Sequence, residues 1–390
     1  MEYTHRRVIA WIGAVCAALA AGTSTAATLN VCLQTCSFKT VQSAVDAANS
    51  GDMIVVSPGR YVGNVTIVNK EVQIVGANKA TTQVELIGTG HGPVFTLGAN
   101  TGGPYYGVFI SYVTVTGGSH FGGTGQGGGI QVRQGAYLVL TNANVVGNTA
   151  MAGGGVSVNT PGGPLSEILW SCLISSNTAY NGGGVYLAAN SSLSLSDECV
   201  VANNTATGNA AIPTGGLGGG VYAEAGSQLT LSQPIISNNS AAAPDACTIK
   251  TNCPAAGGGV YALGKVSIVG ADITQNNVYT PFGSARGGGL YLDVSATPLI
   301  SGTVIAHNSV YSTVAPASGG GVYAVSSNPA ASWTLDADAI LFNNAADNDS
   351  SGPPSAGGIQ NVGKLTLTNG TTITGNFPSQ CLGGQGCPPN

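Results

Sequence analysis

Gly257-Gly258-Gly259-Val260-Tyr261 is one of eight glycine blocks, spread from Gly127 to Ile359, that each run into an aliphatic residue and usually a tyrosine. The final glycines are Gly129, Gly155, Gly184, Gly220, Gly259, Gly289, Gly321 and Gly358. Ile130, Val156, Val185, Val221, Val260, Leu290, Val322 and Ile359 follow them. Between the blocks falls a second mark, an asparagine closing a short β-branched run, at Asn148, Asn177, Asn204, Asn239, Asn277, Asn308, Asn344 and Asn376. The step from final glycine to asparagine holds at 18 to 23 residues, whereas the return step varies from 7 to 20. Each repeat thus has a fixed part and a variable loop.

The fixed part alternates as strands do. Val221-Tyr222-Ala223, Gln228-Leu229-Thr230-Leu231 and Ile235-Ile236-Ser237 form one such set, and no helical period lies between them. Three short strands per ~30 residues make each repeat one coil of a parallel β-helix. A leucine-rich horseshoe needs helical stretches and fixed leucines, and a propeller needs four strands per blade with its own signature residues. The calcium-binding nonapeptide repeat needs an aspartate that Gly122-Gly123-Thr124-Gly125-Gln126-Gly127 lacks. The glycines at 123, 125 and 128 match a dinucleotide fingerprint, but no helix follows them.

Composition agrees with an elongated, turn-rich domain. Of 390 residues 60 are glycine and only 7% are charged, against ~7% and ~25% in ordinary domains. A net charge of −5 leaves no basic field for nucleic acid or an anionic membrane. His5, Arg6 and Arg7, an apolar run from Val8 to Ala21 and the small residues Ser24 to Ala27 read as a cleavable secretory signal over residues 1–27. No later stretch approaches the ~20 apolar residues of a spanning helix, so the mature chain is expected to be secreted or held at the cell surface, without a transmembrane segment and as a monomer.

Cys16 leaves with the signal, and the eight remaining cysteines of an exported chain read as disulfides. Cys32/Cys36, Cys247/Cys253 and Cys381/Cys387 are spaced to close small loops. Cys172 and Cys199 each lie five residues before the repeat asparagine, so stacked coils would bring them to a Cα separation that a disulfide accepts. No histidine accompanies any pair, so no metal is expected there.

Upstream of the repeats, Phe38, Val41, Val45 and Ala48 have helical spacing, and Gly51 ends the segment. A short helix there would cover the open first coil. The expected organisation is therefore a cap over 28–52, a β-helix over 53–376 and a tail over 377–390. The run from Thr40-Val41-Gln42 to Gly76, with Pro58-Gly59, Tyr61 and Lys70, resembles the N-terminal cap and first coils of pectin-lyase-like β-helix proteins, pectin methylesterases included. The Gly-Gly-Gly-Val-Tyr and asparagine repeat is similar to that of polymorphic outer-membrane and other bacterial cell-surface β-helix proteins. The resemblance implies an all-β, right-handed parallel β-helix. It implies little about activity, because the fold carries many functions.

The catalytic motifs of those relatives are absent. No paired aspartates of the methylesterase type follow the cap, no aspartate cluster of the pectate-lyase type occurs, and of the polygalacturonase motifs only Gly90-His91-Gly92 is present. One carboxylate arrangement remains. Glu224 and Asp293 stand four residues past the final glycine in coils two apart, hence outward and ~9.6 Å from each other, near the span of an inverting glycosidase pair. Arg286 precedes the same glycine block as Asp293. Two solvated surface acids are the plainer reading.

Two residues past the final glycines stand Tyr186, Tyr222, Tyr261, Tyr291 and Tyr323, flanked by aliphatics. Alternation sends the aliphatics inward and the tyrosines outward as a ladder ~19 Å long. Such a ladder either stabilises the sheet by stacking or offers a platform to sugars or a protein partner. The asparagines read as structural turn residues. The resulting expectation is an adhesin-like protein that needs no cofactor and binds an extended polysaccharide or surface glycan, with a surface protein as a further possible partner. A polysaccharide-degrading enzyme and a spacer without a specific ligand are the alternatives.

Overall fold

A computed structural model describes residues 26–79, 83–99, 103–123, 125–211, 214–248, 250–294, 297–326, 328, 330–347 and 355–388. The expected signal lies outside the described residues up to Thr25. The rest is a right-handed parallel β-helix. Sheet 1 stacks twelve strands from Thr28–Val31 to Lys364–Thr368, and sheet 2 stacks eleven from Gly59–Val62 to Thr372–Thr374. Sheet 3 stacks eight from Ser119–His120 to Asn344–Asp347, and sheet 4 eleven from Val65–Ile67 to Cys381–Leu382.

One coil shows the path. Gln228–Ser232 lies in sheet 1, Ile235–Ser237 in sheet 2, Ser240–Ala242 in sheet 3 and Val260–Ala262 in sheet 4, each paired in parallel with its counterpart in the next coil. The sequence suggested three strands per coil; the short stretch after the asparagine makes a fourth. Within each strand alternation holds, so Val221, Val260, Leu290, Val322 and Ile359 form one fully buried column. Each such aliphatic contributes on the order of 1.5–3 kcal/mol by leaving water.

Helix Val41–Ala47 closes the first coil. Thr40 caps its start by accepting from the Ser43 N–H, and Val41, Ala44 and Val45 are buried beneath it. Thr28–Val31, from the expected cap, pairs with Met53–Val56 and is already a strand of sheet 1. At the other end the expected tail adds an abbreviated coil: Phe377 bridges to Asn344 in sheet 3, Cys381–Leu382 pair with Ile359–Gln360, and Gln385 bridges to Lys364.

Between sheets 2 and 3 runs a buried seam of asparagine. It runs through Asn148, Asn177, Asn204, Asn239, Asn276, Asn308, Asn343 and Asn376; from Asn177 on, each side-chain oxygen accepts both the backbone N–H and the Nδ2 of the preceding asparagine at 2.9–3.1 Å, while Asn148 Oδ1 accepts from the Gly118 N–H. The second Nδ2 hydrogen goes to a carbonyl of the preceding coil, as from Asn276 to Ile236 O at 2.9 Å. Gln380 Oε1 accepts from Asn376 and ends the series. Two marks were thus placed one residue late: the seam uses Asn276 and Asn343, whereas Asn277 and Asn344 open the next strands. The seam residue always stands three after the inward aliphatic of sheet 2, as Asn239 after Ile236 and Asn276 after Ile273. An Asn-Asn pair in the sequence hides this.

The glycine blocks face that seam. A Cβ on Gly259 would lie 2.6 Å from the Gly289 carbonyl oxygen and 3.0 Å from Asn276 Nδ2, while Gly257 has φ +66°. The first glycine makes the left-handed turn, and the last leaves the room in which the amide sits.

Three of the four expected disulfides are present: Cys32–Cys36, Cys247–Cys253 and Cys381–Cys387. Cys172 and Cys199 do come into register, with Val200 N–H donating to Cys172 O at 2.8 Å, but both are buried free thiols. In-register parallel strands hold their Cβ atoms side by side at ~4.8 Å, beyond the ~3.8 Å typical of a disulfide. The hydrogen bond to Cys172 and burial both push the Cys199 thiol above its ordinary pKa.

Two outcomes follow. Asn276→Ala removes the acceptor of two buried donors and should lower stability by at least ~1–3 kcal/mol, whereas Asn277→Ala should change it by less than ~0.5 kcal/mol. Urea-unfolding midpoints compare the two, and equal losses would place the seam at Asn277. Thiol titration of the chain without residues 1–27 should find two reactive groups after denaturation and none before; none in either state would mean that Cys172 and Cys199 are joined.

Candidate ligand-binding face

The five tyrosines stand in consecutive coils of sheet 4, paired in register from Tyr186 to Tyr323. Their rings lie face to face, with centroids 5.6, 5.2, 4.5 and 5.3 Å apart in order and interplanar angles of 3–14°. Parallel in-register strands dictate this, since they repeat the same side chain at the coil spacing. The inward/outward register expected from the sequence holds, but the row is not openly exposed. Tyr186 retains 7% of its surface and the other four are half-buried. Burial raises the hydroxyl pKa of Tyr186, Tyr222, Tyr261 and Tyr291.

Each ring covers the next, and variable loops rise beside Tyr261 and Tyr291. Residues 214–217 and 251–256 wall an open groove of about 440 Å³ whose floor is Tyr261 and Tyr291. Ala255–Ala256, Ala285–Arg286 and Ala317–Ser318 form a small parallel sheet beside the glycine blocks. It places Arg286 in the groove lining, with its guanidinium 5.2 Å from the centroid of the Tyr323 ring. Cys247–Cys253 staples the loop that carries one wall. Its one mark in the sequence is an alanine two before three consecutive glycine blocks, at Ala255, Ala285 and Ala317.

The faces of the stacked rings are spent on each other. What the row offers a ligand is a line of ring edges and phenol hydroxyls at the coil pitch, with a cation near one end. The outward ladder expected from the sequence is present, with its ring faces closed by stacking.

The proposed acid pair fares differently. Glu224 and Asp293 do occupy equivalent positions two coils apart. Glu224, however, turns toward the preceding coil: its Oε1 accepts from the Tyr186 hydroxyl at 2.6 Å and its Oε2 from the Ala189 N–H at 2.9 Å. Both oxygens are engaged on the side away from Asp293. Arg286 serves the tyrosines rather than the acids. His120 meets the Gln126 carbonyl at 2.7 Å, and His307 stacks on Phe342 at 5.4 Å. Among the described residues no group of three or more His, Cys, Asp or Glu is placed to hold a metal ion, and no helix is long and apolar enough to cross a membrane.

Glu224 is therefore a clasp on the first ring of the row. Glu224→Ala should cost ~1.5–3 kcal/mol, the scale for hydrogen bonds to a charged group, and Glu224→Gln should recover part of it. Thermal unfolding of the two variants decides, and an unchanged midpoint for the alanine would sink the clasp.

No family model matches the chain, and no curated protein matches it. Two solved structures are similar at low identity. "Geobacillus virus E2 - ORF18" is 14% identical with a TM-score of 0.42, over 84% of this chain and 57% of that one. A pectin methylesterase from Aspergillus niger is 11% identical with a TM-score of 0.32, over 96% of this chain and 93% of that one. The chain thus spans about 57% of the length of the first. The fold stands on the chain's own parallel sheets.

Proposed function

We propose that the protein binds an extended, hydroxyl-rich polymer, a polysaccharide or surface glycan, along the tyrosine row of sheet 4. The observation that carries this reading is the groove over Tyr261 and Tyr291. It opens over two rings of a row whose centroids repeat every 4.5–5.6 Å, and it has a loop wall fixed by Cys247–Cys253. A repeating ligand suits a repeating donor and acceptor row, and half-buried tyrosines lose little conformational freedom on binding. The engagement of both Glu224 oxygens favours binding over glycan cleavage.

The test separates hydroxyls from rings. Replacing Tyr261 and Tyr291 together by phenylalanine keeps the stack and removes two hydrogen-bonding groups. Binding to the polysaccharide that the mature chain captures from a panel of pectin, xylan and host glycans should weaken by ~1–3 kcal/mol in total, with the circular dichroism unchanged. Titration of native and variant protein on the same glycan reads it. Native affinity in the double variant, or no capture of any glycan by the native chain, would remove the proposal.

A further inference from the structure

The tightest contact in the row has a chemical consequence. Tyr261 and Tyr291 are register partners with ring centroids 4.5 Å apart and planes 14° from parallel, closer than the 5.2–5.8 Å of the other stacked tyrosine pairs. In-register stacking places the carbons flanking one hydroxyl over the equivalent carbons of the other ring. Both rings line the open groove, so a small oxidant reaches them. Among the described residues the three disulfides close only local loops, with separations of 4 to 6 residues, and Cys172 and Cys199 remain thiols, so no disulfide ties one coil to the next.

We propose that Tyr261 and Tyr291 are an oxidative modification site, at which a one-electron oxidant of the peroxidase–hydrogen peroxide class joins the two rings as an inter-coil dityrosine. Each phenol gives up one electron and its hydroxyl proton. The two phenoxyl radicals, with spin density on the Cε carbons, pair to form one Cε–Cε bond. The hydrogen on each joined carbon then moves to its oxygen and restores both hydroxyls. The protein loses two hydrogen atoms in all, and one hydrogen peroxide is reduced to two waters. The bond ties strand Val260–Ala262 to strand Leu290–Asp293 beside the stapled loop. The inference is independent of glycan binding, since a chain that captures no polymer would still cross-link.

Dilute mature protein treated with a haem peroxidase and hydrogen peroxide tests it. The expected result is dityrosine fluorescence in a product that remains a monomer on a denaturing gel, with a digest containing one joined peptide pair, Tyr261 to Tyr291, lighter by two hydrogens. Tyr291→Phe should abolish the signal, while Tyr311→Phe keeps it. Cross-linking mapped to the exposed Tyr279 and its stacked neighbour Tyr311, coupling only between molecules, or no dityrosine at all would each overturn the assignment.

Discussion

The structure depends on how a buried amide is satisfied at every turn of the solenoid. A coil of β-helix must reverse direction between sheets 2 and 3 inside its own core, where an unpaired polar group costs ~1–3 kcal/mol. Asparagine solves this by repetition: the oxygen of each side chain serves the coil before it, and its nitrogen serves both neighbours. The glycine column exists because this seam needs space, with the hypothetical Cβ of Gly184, Gly220, Gly259 and Gly321 falling 2.9–3.0 Å from an asparagine Nδ2. The two sequence marks are thus halves of one packing arrangement.

Repetition has a second effect on the outer surface. Because the seam and the glycines lock adjacent coils in register, any residue kept at one position of successive repeats is stacked upon itself. Tyrosine at the second position after the glycines therefore forms a column of parallel rings. That column is at once a stabilising element, each stacked pair being worth ~0.5–1.5 kcal/mol beyond its burial, and a surface with a periodic set of hydroxyls. Structural and binding readings of the row do not compete. The stack consumes the faces and leaves the edges.

The loops decide how much of that surface remains in play. They enter between sheets 3 and 4, next to the glycines, and so rise directly beside the tyrosines. Their placement converts a flat ribbon into a groove and brings Arg286, a residue of the side sheet, against the last ring. The acids that looked catalytic are drawn into the same arrangement, with Glu224 closing the Tyr186 end.

The chain's own order of residues determined the coil, the alternation, the cap helix, the outward tyrosines and the three local disulfides, because each depends on spacing that a linear pattern records. The pairing of Asn276 rather than Asn277 was also legible in principle, through the three-residue step from Ile273. Other features required tertiary structure. Whether Cys172 and Cys199 bond depends on their Cβ separation, and parallel strands in register keep side chains a full strand spacing apart. Whether Glu224 faces Asp293 or Tyr186 depends on which partner offers a donor at hydrogen-bond distance, and that partner, the Tyr186 hydroxyl with the Ala189 N–H, lies 35 to 38 residues away. The groove over Tyr261 and Tyr291 is walled by loops of irregular length, whose course no period predicts. Periodic features follow from sequence because every coil repeats the same local problem, while the groove arises where the coils differ.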